Sequence, residues 1–423
     1  ASRPKYNLAY YVNMAKELAN AGANVIAIKD MAGLLKPQAA YNLVSALKDA
    51  VDLPIHLHTH EGAGNAIYTY GRAIDAGVDV VDVAYSAFAN GTSQPSMNSL
   101  YYGLTGHERQ PSMDVDYMES MSHYFASIRP YYKGVDHTSP FPSTEVYQHE
   151  MPGGQFSNLQ QQAKSVGLGD RWPEIKKVYH QVSMMFGDII KVTPSSKVVG
   201  DMTLYMVQNG LTEQDIYEKG ETLDFPQSVV EFFEGRLGVP YQGFPEKLQK
   251  IVLKGKQPLT QRPGAALQPV DFEDVRKKLA DMGAGTTDED VIAYCLYPKV
   301  FSDYVEFTKD YGDISVLDTP TFFFGMRRGE AIPVVIEKGK MLIIKLIHVS
   351  EADEDGKRIV SFEFNGQPRD IKIQDKHVKT TGVVRHKADK TQPGEIGATL
   401  SGSVVKILVK NGQAVVKGEP LIV

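Results

Sequence analysis

Cysteine, tryptophan, excess positive charge and long apolar runs are all scarce or missing in this chain of 423 residues. Cys295 is the only cysteine, so neither an intramolecular disulfide nor a cysteine-based zinc site can be built. Such usage fits a reducing, cytoplasmic compartment. Acidic residues outnumber basic ones, 51 against 45, for a formal net charge of −6. A nucleic-acid binder usually carries a basic excess, so that class is disfavoured. No apolar run approaches the roughly 20 residues that a helix needs to cross a bilayer. The opening residues, Ala1 to Tyr6, are polar and include Pro4, unlike a secretory signal. What remains, 42% hydrophobic and 23% charged, is ordinary globular composition, long enough for about three domains.

The first hundred residues alternate between helical and strand patterns. Helices are predicted over 7–21, 37–49 and 65–76, stopped by Gly22 in the first case and Gly77 in the last. Pro37 suits the first turn of the second. Strands are predicted over 25–28, 53–60 and 78–84. Continuous apolar strands between helices indicate βα units in a parallel sheet covered on both faces. Their period of about 28 residues suits a (β/α) barrel. Three units cannot close eight strands, so the rest must be absent or come from another chain. A chain that opens almost directly in a helix reads as a piece of a longer one. From 113 to 315 the pattern turns helical, notably at 172–186, 194–209, 227–237 and 288–297. A meander follows, with strands at 332–336, 341–349, 358–364 and 371–373 and with turn dipeptides Lys338-Gly339, Asp355-Gly356 and Asn365-Gly366. Residues 377–395 read as a polar linker, and 396–423 as short strands around glycines.

The segment Leu53-Pro-Ile-His-Leu-His-Thr-His60 carries the most chemistry. Side chains alternate along a strand, so His56, His58 and His60 share one face and Ile55, Leu57 and Thr59 the other. In a barrel the histidine face points inward, and active sites gather at the C-terminal strand ends. Two histidines at i and i+2 can reach one metal there, and three in alternation favour that reading over hydrogen-bonded core histidines. Lys29 ends the preceding strand and is expected to face a dry interior, where desolvation lowers an amine's pKa. Three outcomes are open: a Schiff base, a buried ion pair, or uptake of CO2 as a carbamate, an anionic ligand beside imidazoles. Further on, Ile190-Lys-Val-Thr-Pro-Ser-Ser-Lys197 opens a helix. Thr193 is expected as its N-cap and Pro194 as its first residue. A hydroxyl so placed either caps the helix or, beside a carbonyl substrate, shuttles a proton. Lys197, one turn in, could bind an acid group.

Several of these runs resemble the carboxyltransferase region of biotin-dependent carboxylases. They are Ile28-Lys-Asp-Met-Ala-Gly-Leu-Leu-Lys-Pro37, the histidine strand, Gly91-Thr-Ser-Gln-Pro-Ser96, Met151-Pro-Gly-Gly-Gln155 and Lys191-Val-Thr-Pro-Ser-Ser-Lys197. Asp318-Thr-Pro-Thr-Phe-Phe-Phe-Gly-Met-Arg327 and Phe364-Asn-Gly-Gln-Pro-Arg369 resemble the pyruvate-carboxylating branch. The resemblance implies an α/β fold with four parts. Residues 1–112 would be the C-terminal half of a TIM-type (β/α)8 barrel and 113–315 its helical extension. Residues 316–376 would be a small β-meander tetramerisation domain. After the linker, 396–423 would be part of a β-rich biotinyl carrier domain that stops short of its biotin-bearing lysine. It further implies carboxyl transfer from carboxybiotin to pyruvate, giving oxaloacetate, in a homo-tetramer. A separate biotin carboxylase domain would use ATP and bicarbonate. The implied divalent metal, Mn or Zn, would be held by Lys29 as its carbamate, His58 and His60, with His56 not a ligand. Thr193 would carry the proton between pyruvate and biotin, and Lys197 would line the site. Glu61-Gly-Ala-Gly64 stands where Asp-Thr-Ser-Gly is common, keeping a carboxylate at Glu61. Alternatives are a biotin-dependent oxaloacetate decarboxylase, disfavoured by the meander, and a non-catalytic assembly or regulatory module.

Tyr41 sits off the core stripe of helix 37–49, and Tyr68 falls with Arg72 and Asp75 on the outer face of helix 65–76. Exposed tyrosines on neighbouring outer helices can contact a partner subunit or stack on a flat ligand. The pair is similar to the pattern at which some bacterial family members bind cyclic di-AMP.

Overall fold

The computed structural model describes residues 3–136 and 141–375, then 377–378, 388–389, 392, 394–397, 406–416 and 419–422. The chain divides into two compact units, 1–306 and 307–423.

The first unit opens with α1 (Leu8–Asn20), β1 (Ile26–Asp30), α2 (Pro37–Ala50), β2 (Ile55–Thr59), α3 (Ala66–Asp75) and β3 (Val80–Val81). The strands form a parallel sheet in the order β1-β2-β3, with Lys29 opposite His58 and His56 opposite Val80. Proline at its first position starts α2, and Ala40, Leu43, Val44 and Leu47 then bury one helical stripe. That stripe packs with Ile55 and Leu57 of β2 and with Tyr70, Ala73 and Ile74 of α3. The expected alternation along β2 holds: Ile55, Leu57 and Thr59 are buried beneath the helices, and His56 and His58 face the other way.

The third strand is shorter than the predicted 78–84. Asp79 and Asp82 still donate their amides to the Ile55 and Leu57 carbonyls, but Asp79 turns its carboxylate to the Ile55 amide and regular pairing ends after two residues. Start of α3 is also unusual, because its N-cap Asn65 makes no side-chain bond. Buried Glu61 substitutes, accepting the Ala66 amide at 2.8 Å and the Ile67 amide at 3.1 Å. A carboxylate there satisfies orphan donors and favours the helix dipole.

Helices complete this unit: α4 (Met97–Gly103), α5 (Val115–Ile128), α6 (Val146–His149), α7 (Gly153–Ser165), α8 (Trp172–Met185), α9 (Ser195–Asn209), α10 (Glu213–Lys219), α11 (Gln227–Phe233), α12 (Glu246–Leu253), α13 (Phe272–Asp281), α14 (Asp288–Leu296) and the start of α15 (Pro298–Tyr311). Their main core gathers Leu159, Tyr179, Phe186, Val199, Met202 and Phe233. A smaller cluster around Val275, Leu279 and Val291 takes in Cys295.

The second unit contains α16 (Thr319–Phe324) and an antiparallel meander, β4 (Ala331–Glu337), β5 (Lys340–Val349), β6 (Lys357–Phe364) and β7 (Gln367–Gln374), paired in sequence order. Asn365 and Gly366 join β6 to β7 with φ of 46° and 83°, the two positive values of a tight hairpin turn. Ile332, Val334, Leu346 and Val360 form its buried side. Most of the predicted linker and part of the predicted carrier segment lie outside the described residues. Within the carrier stretch, Ile407 and Ile422 form an antiparallel bridge.

Candidate active site

Residue pairing in the parallel sheet sets Lys29 beside His58 on adjacent strands, facing the same side. His60 follows β2 directly, and its ring lies 5.1 Å from that of His58, centroid to centroid. Lys29 is exposed on β1, at one side of the three-stranded sheet formed by the described residues. A cavity of about 360 Å³ lies against it, lined by Lys29, Asp30, Arg3, Glu150, Asp188 and Lys191 among others.

Both imidazoles are fixed through Nδ1. His58 Nδ1 donates to Asp82 Oδ2 at 2.7 Å, and His56 Nε2 donates to Asp82 Oδ1 at 2.7 Å. Burial alone would raise the Asp82 carboxyl, but these two bonds win and hold it below the usual range. His60 Nδ1 donates to the Thr92 carbonyl at 2.7 Å, while the Gln94 amide reaches its Nε2 only at 3.4 Å. Burial pushes the His60 imidazole down, towards the neutral form. The remaining nitrogen, His58 Nε2, is buried with no hydrogen-bond partner. A buried nitrogen lone pair with nothing to accept is costly unless a ligand takes it. The donor set therefore fits a divalent cation: two imidazoles offering Nε2, with Lys29 alongside. Among the described residues no three His, Cys, Asp or Glu side chains form a group that could hold a metal ion; Lys29 stands opposite His58 on the neighbouring strand.

Sequence reasoning missed the residues that hold this geometry. Asp82 is one. Tyr70 is another: fully buried, it accepts the Thr59 amide at 3.1 Å and donates to the Asp82 carbonyl at 2.6 Å. Burial raises its phenol well above the usual value, keeping that donor protonated. Gly153 is a third. A Cβ there would stand 2.5 Å from the Thr92 oxygen and 2.8 Å from His60 Nδ1. An acid in the strand after a histidine strand, and a Gly-Gly pair opening a helix, were the available signals. The motif Gly91-Thr-Ser-Gln-Pro-Ser96 now has a physical meaning: Thr92 and Gln94 address the two nitrogens of His60, and Ser96 caps α4 by accepting the Ser99 amide.

Thr193 is not the helix cap. Pro194 occupies that position, and the Thr193–Pro194 peptide is cis. The Ser195 hydroxyl takes over the local turn, accepting the Val192 amide at 3.1 Å and donating to carbonyls at 190 and 192. That leaves the Thr193 hydroxyl free of the capping duty. Lys197 is 59% exposed and paired with Asp201 one turn along, at 2.7 Å. Neither Thr193 nor Lys197 lines the cavity beside Lys29, whereas Lys191 does. Lys191 is buried, bonded to Glu150 and Ser183 at 3.0 Å each, and burial brings its amine down to about 8. Arg3 completes the network by bonding Glu150 and Asp188. On the outer helices, Tyr68 is 63% exposed, and the Arg72 guanidinium lies 4.4 Å from the Tyr41 ring centre.

Residues 3–123 match the HMGL-like family model, and 146–345 match the model described as a conserved carboxylase domain. The pyruvate carboxylase of Bacillus subtilis is 57% identical over 423 residues, covering 100% of this chain and 37% of that protein. That of Staphylococcus aureus is 55% identical over 99% of the chain and 36% of its own length. The chain thus spans a little over a third of these relatives. Among solved structures, the carboxyl transferase domain of Rhizobium etli pyruvate carboxylase superposes with a TM-score of 0.84 at 47% identity, over 89% of this chain and 63% of that one. The same domain solved with pyruvate and biocytin gives 0.85. No helix among the described residues is long and apolar enough to cross a membrane. By identity along its length and by fold, the chain belongs to the pyruvate carboxylase family and corresponds to its carboxyltransferase portion.

Proposed function

We propose that this chain carries the carboxyl-transfer half-reaction of a biotin-dependent ligase, in which carboxybiotin gives up its carboxyl group to pyruvate and oxaloacetate forms. The observation that carries this reading is the superposition of 89% of the chain, at 47% identity, on the Rhizobium etli domain solved with pyruvate and biocytin. In this reading 1–112 is the later half of a (β/α)8 barrel and 113–315 its helical extension. Residues 316–376 are the tetramerisation meander of a homo-tetramer, 377–395 are the linker, and 396–423 belong to the biotin carrier. ATP and bicarbonate are consumed at a biotin carboxylase domain elsewhere in the enzyme.

Lys29 as its carbamate, His58 and His60 are the residues that would hold a divalent metal, Mn or Zn. Such an ion supplies positive charge where negative charge develops on the substrate carbonyl oxygen. The chain's own groups do the rest. Asp82 and the Thr92 carbonyl orient the two imidazoles. Thr193, released from capping, carries a proton between the methyl group of pyruvate and the ureido nitrogen of biotin. Lys197 stands one turn further along the same helix and would attract carboxylate from solvent once freed of Asp201. The exposed Tyr68 and the Arg72-stacked Tyr41 form a face suited to a flat anionic ligand such as cyclic di-AMP.

The test is biotin-dependent decarboxylation of oxaloacetate by the enzyme that carries this chain. Thr193→Ala is expected to lower turnover by about 10²–10⁴-fold, the usual worth of a positioned proton carrier. Unchanged turnover would remove Thr193 from the mechanism.

A further inference from the structure

We infer that Asp82 is a positioning residue that fixes the His58 tautomer, so that His58 presents a bare Nε2 lone pair before any metal arrives. This rests on the reading of His58 as a ligand and on the hydrogen-bond order around one carboxylate. Asp82 Oδ2 accepts from His58 Nδ1 and Oδ1 accepts from His56 Nε2, both at 2.7 Å. An ionised carboxylate has no proton to give, so both imidazole nitrogens must carry theirs. With Nδ1 donating to Asp82, the lone pair that His58 can offer a ligand is on Nε2, the atom that is buried without a partner.

Asp82 is itself anchored at three points. His56 holds one oxygen. The Asp82 amide donates to the Leu57 carbonyl of β2 at 3.2 Å. The Asp82 carbonyl accepts the buried Tyr70 hydroxyl at 2.6 Å, and that hydroxyl in turn accepts the Thr59 amide, so β2, α3 and the residue that follows β3 share one chain of bonds. The third histidine, which is no ligand, thereby acquires a task. His56 occupies the second Asp82 oxygen and stops the carboxylate from rotating away from His58. Carboxylate–imidazole pairs of this kind fix ring orientation and raise ligand basicity, and their loss typically weakens metal binding by about 10–100-fold.

The experiment uses the full chain with selectively ¹⁵N-labelled histidine, and Zn²⁺ competed against a chromophoric chelator. In the metal-free wild type, His58 is expected to be protonated at Nδ1. In Asp82→Asn, whose amide can donate to Nδ1, the proton is expected at Nε2, and Zn²⁺ binding is expected to weaken by about 10–100-fold with the fold retained by circular dichroism. Asp82→Glu, which keeps the acceptor, should restore the Nδ1 proton. A His58 protonated at Nε2 in the wild type would overturn the inference, and so would wild-type Zn²⁺ affinity in a folded Asp82→Asn. Failure of the wild type to bind Zn²⁺ would instead overturn the ligand reading, and the tautomer would still decide the role of Asp82.

Discussion

Replacing Gly153 by alanine tests whether close approach of a helix start to His60 is built into the site. The added methyl would meet the Thr92 oxygen at 2.5 Å and His60 Nδ1 at 2.8 Å. Ordinary carbon–oxygen contact is about 3.4 Å, so the backbone carbonyl must retreat by roughly 1 Å, and overpacking of this kind costs about 1–3 kcal/mol. Retreat also breaks the 2.7 Å bond that fixes His60, which should weaken Zn²⁺ binding by about tenfold or more. Gly154→Ala is a matched control, since nothing lies within 4 Å of its Cβ position, and it is expected to be neutral or stabilising by up to about 1 kcal/mol. The assay is built in. Trp172 is the sole tryptophan, and its ring packs 5.2 Å from Phe156 of the same helix α7, so its fluorescence during urea unfolding reports this region directly. Equal stability and equal Zn²⁺ affinity for the two alanine variants would refute the reasoning.

Three further outcomes follow from the same structure. Burial holds His149 down to about 4, while its Nδ1 accepts the Met151 amide. The unfolded chain therefore takes up a proton first as pH falls below about 6.5, so stability present above that value is lost towards pH 4 with a slope approaching 1.4 kcal/mol per unit. Urea unfolding at pH 7 and pH 5 should differ by about 2 kcal/mol more in the wild type than in His149→Gln. Glu150→Ala leaves Lys191, whose side chain is 7% exposed, without its carboxylate, and is expected to cost about 3–5 kcal/mol by the same fluorescence assay; a loss under 1 kcal/mol would show that Ser183 suffices. Lys29→Ala should abolish tight metal binding, and retention of full metal content by elemental analysis would exclude the carbamate.

What could be read from sequence depended on the range of the physical rule. The histidine face was legible because strand alternation is local: His56, His58 and His60 need only a period of two. The helix at 37–50 was legible from Pro37 and a stripe at Ala40, Leu43, Val44 and Leu47. The meander was legible from its turn dipeptides, above all Asn365-Gly366. Asp82 was not, because its role depends on the register that sets β3 beside β2, more than 20 residues away in the chain. Nor was Gly153, whose constraint comes from the Thr92 carbonyl across the fold. At Thr193 the Thr-Pro pair suggested a cap, and the structure gives that work to Ser195 instead.

The proposed cation site of Lys29, His58 and His60 can be seen by anomalous diffraction at the zinc edge from crystals of the chain grown with Zn²⁺ and bicarbonate. One peak is expected about 2.0–2.1 Å from Nε2 of both His58 and His60, with density for a carbamate joining it to Lys29. A map with no peak between the two imidazoles, or a peak that leaves His58 Nε2 unoccupied, would contradict it.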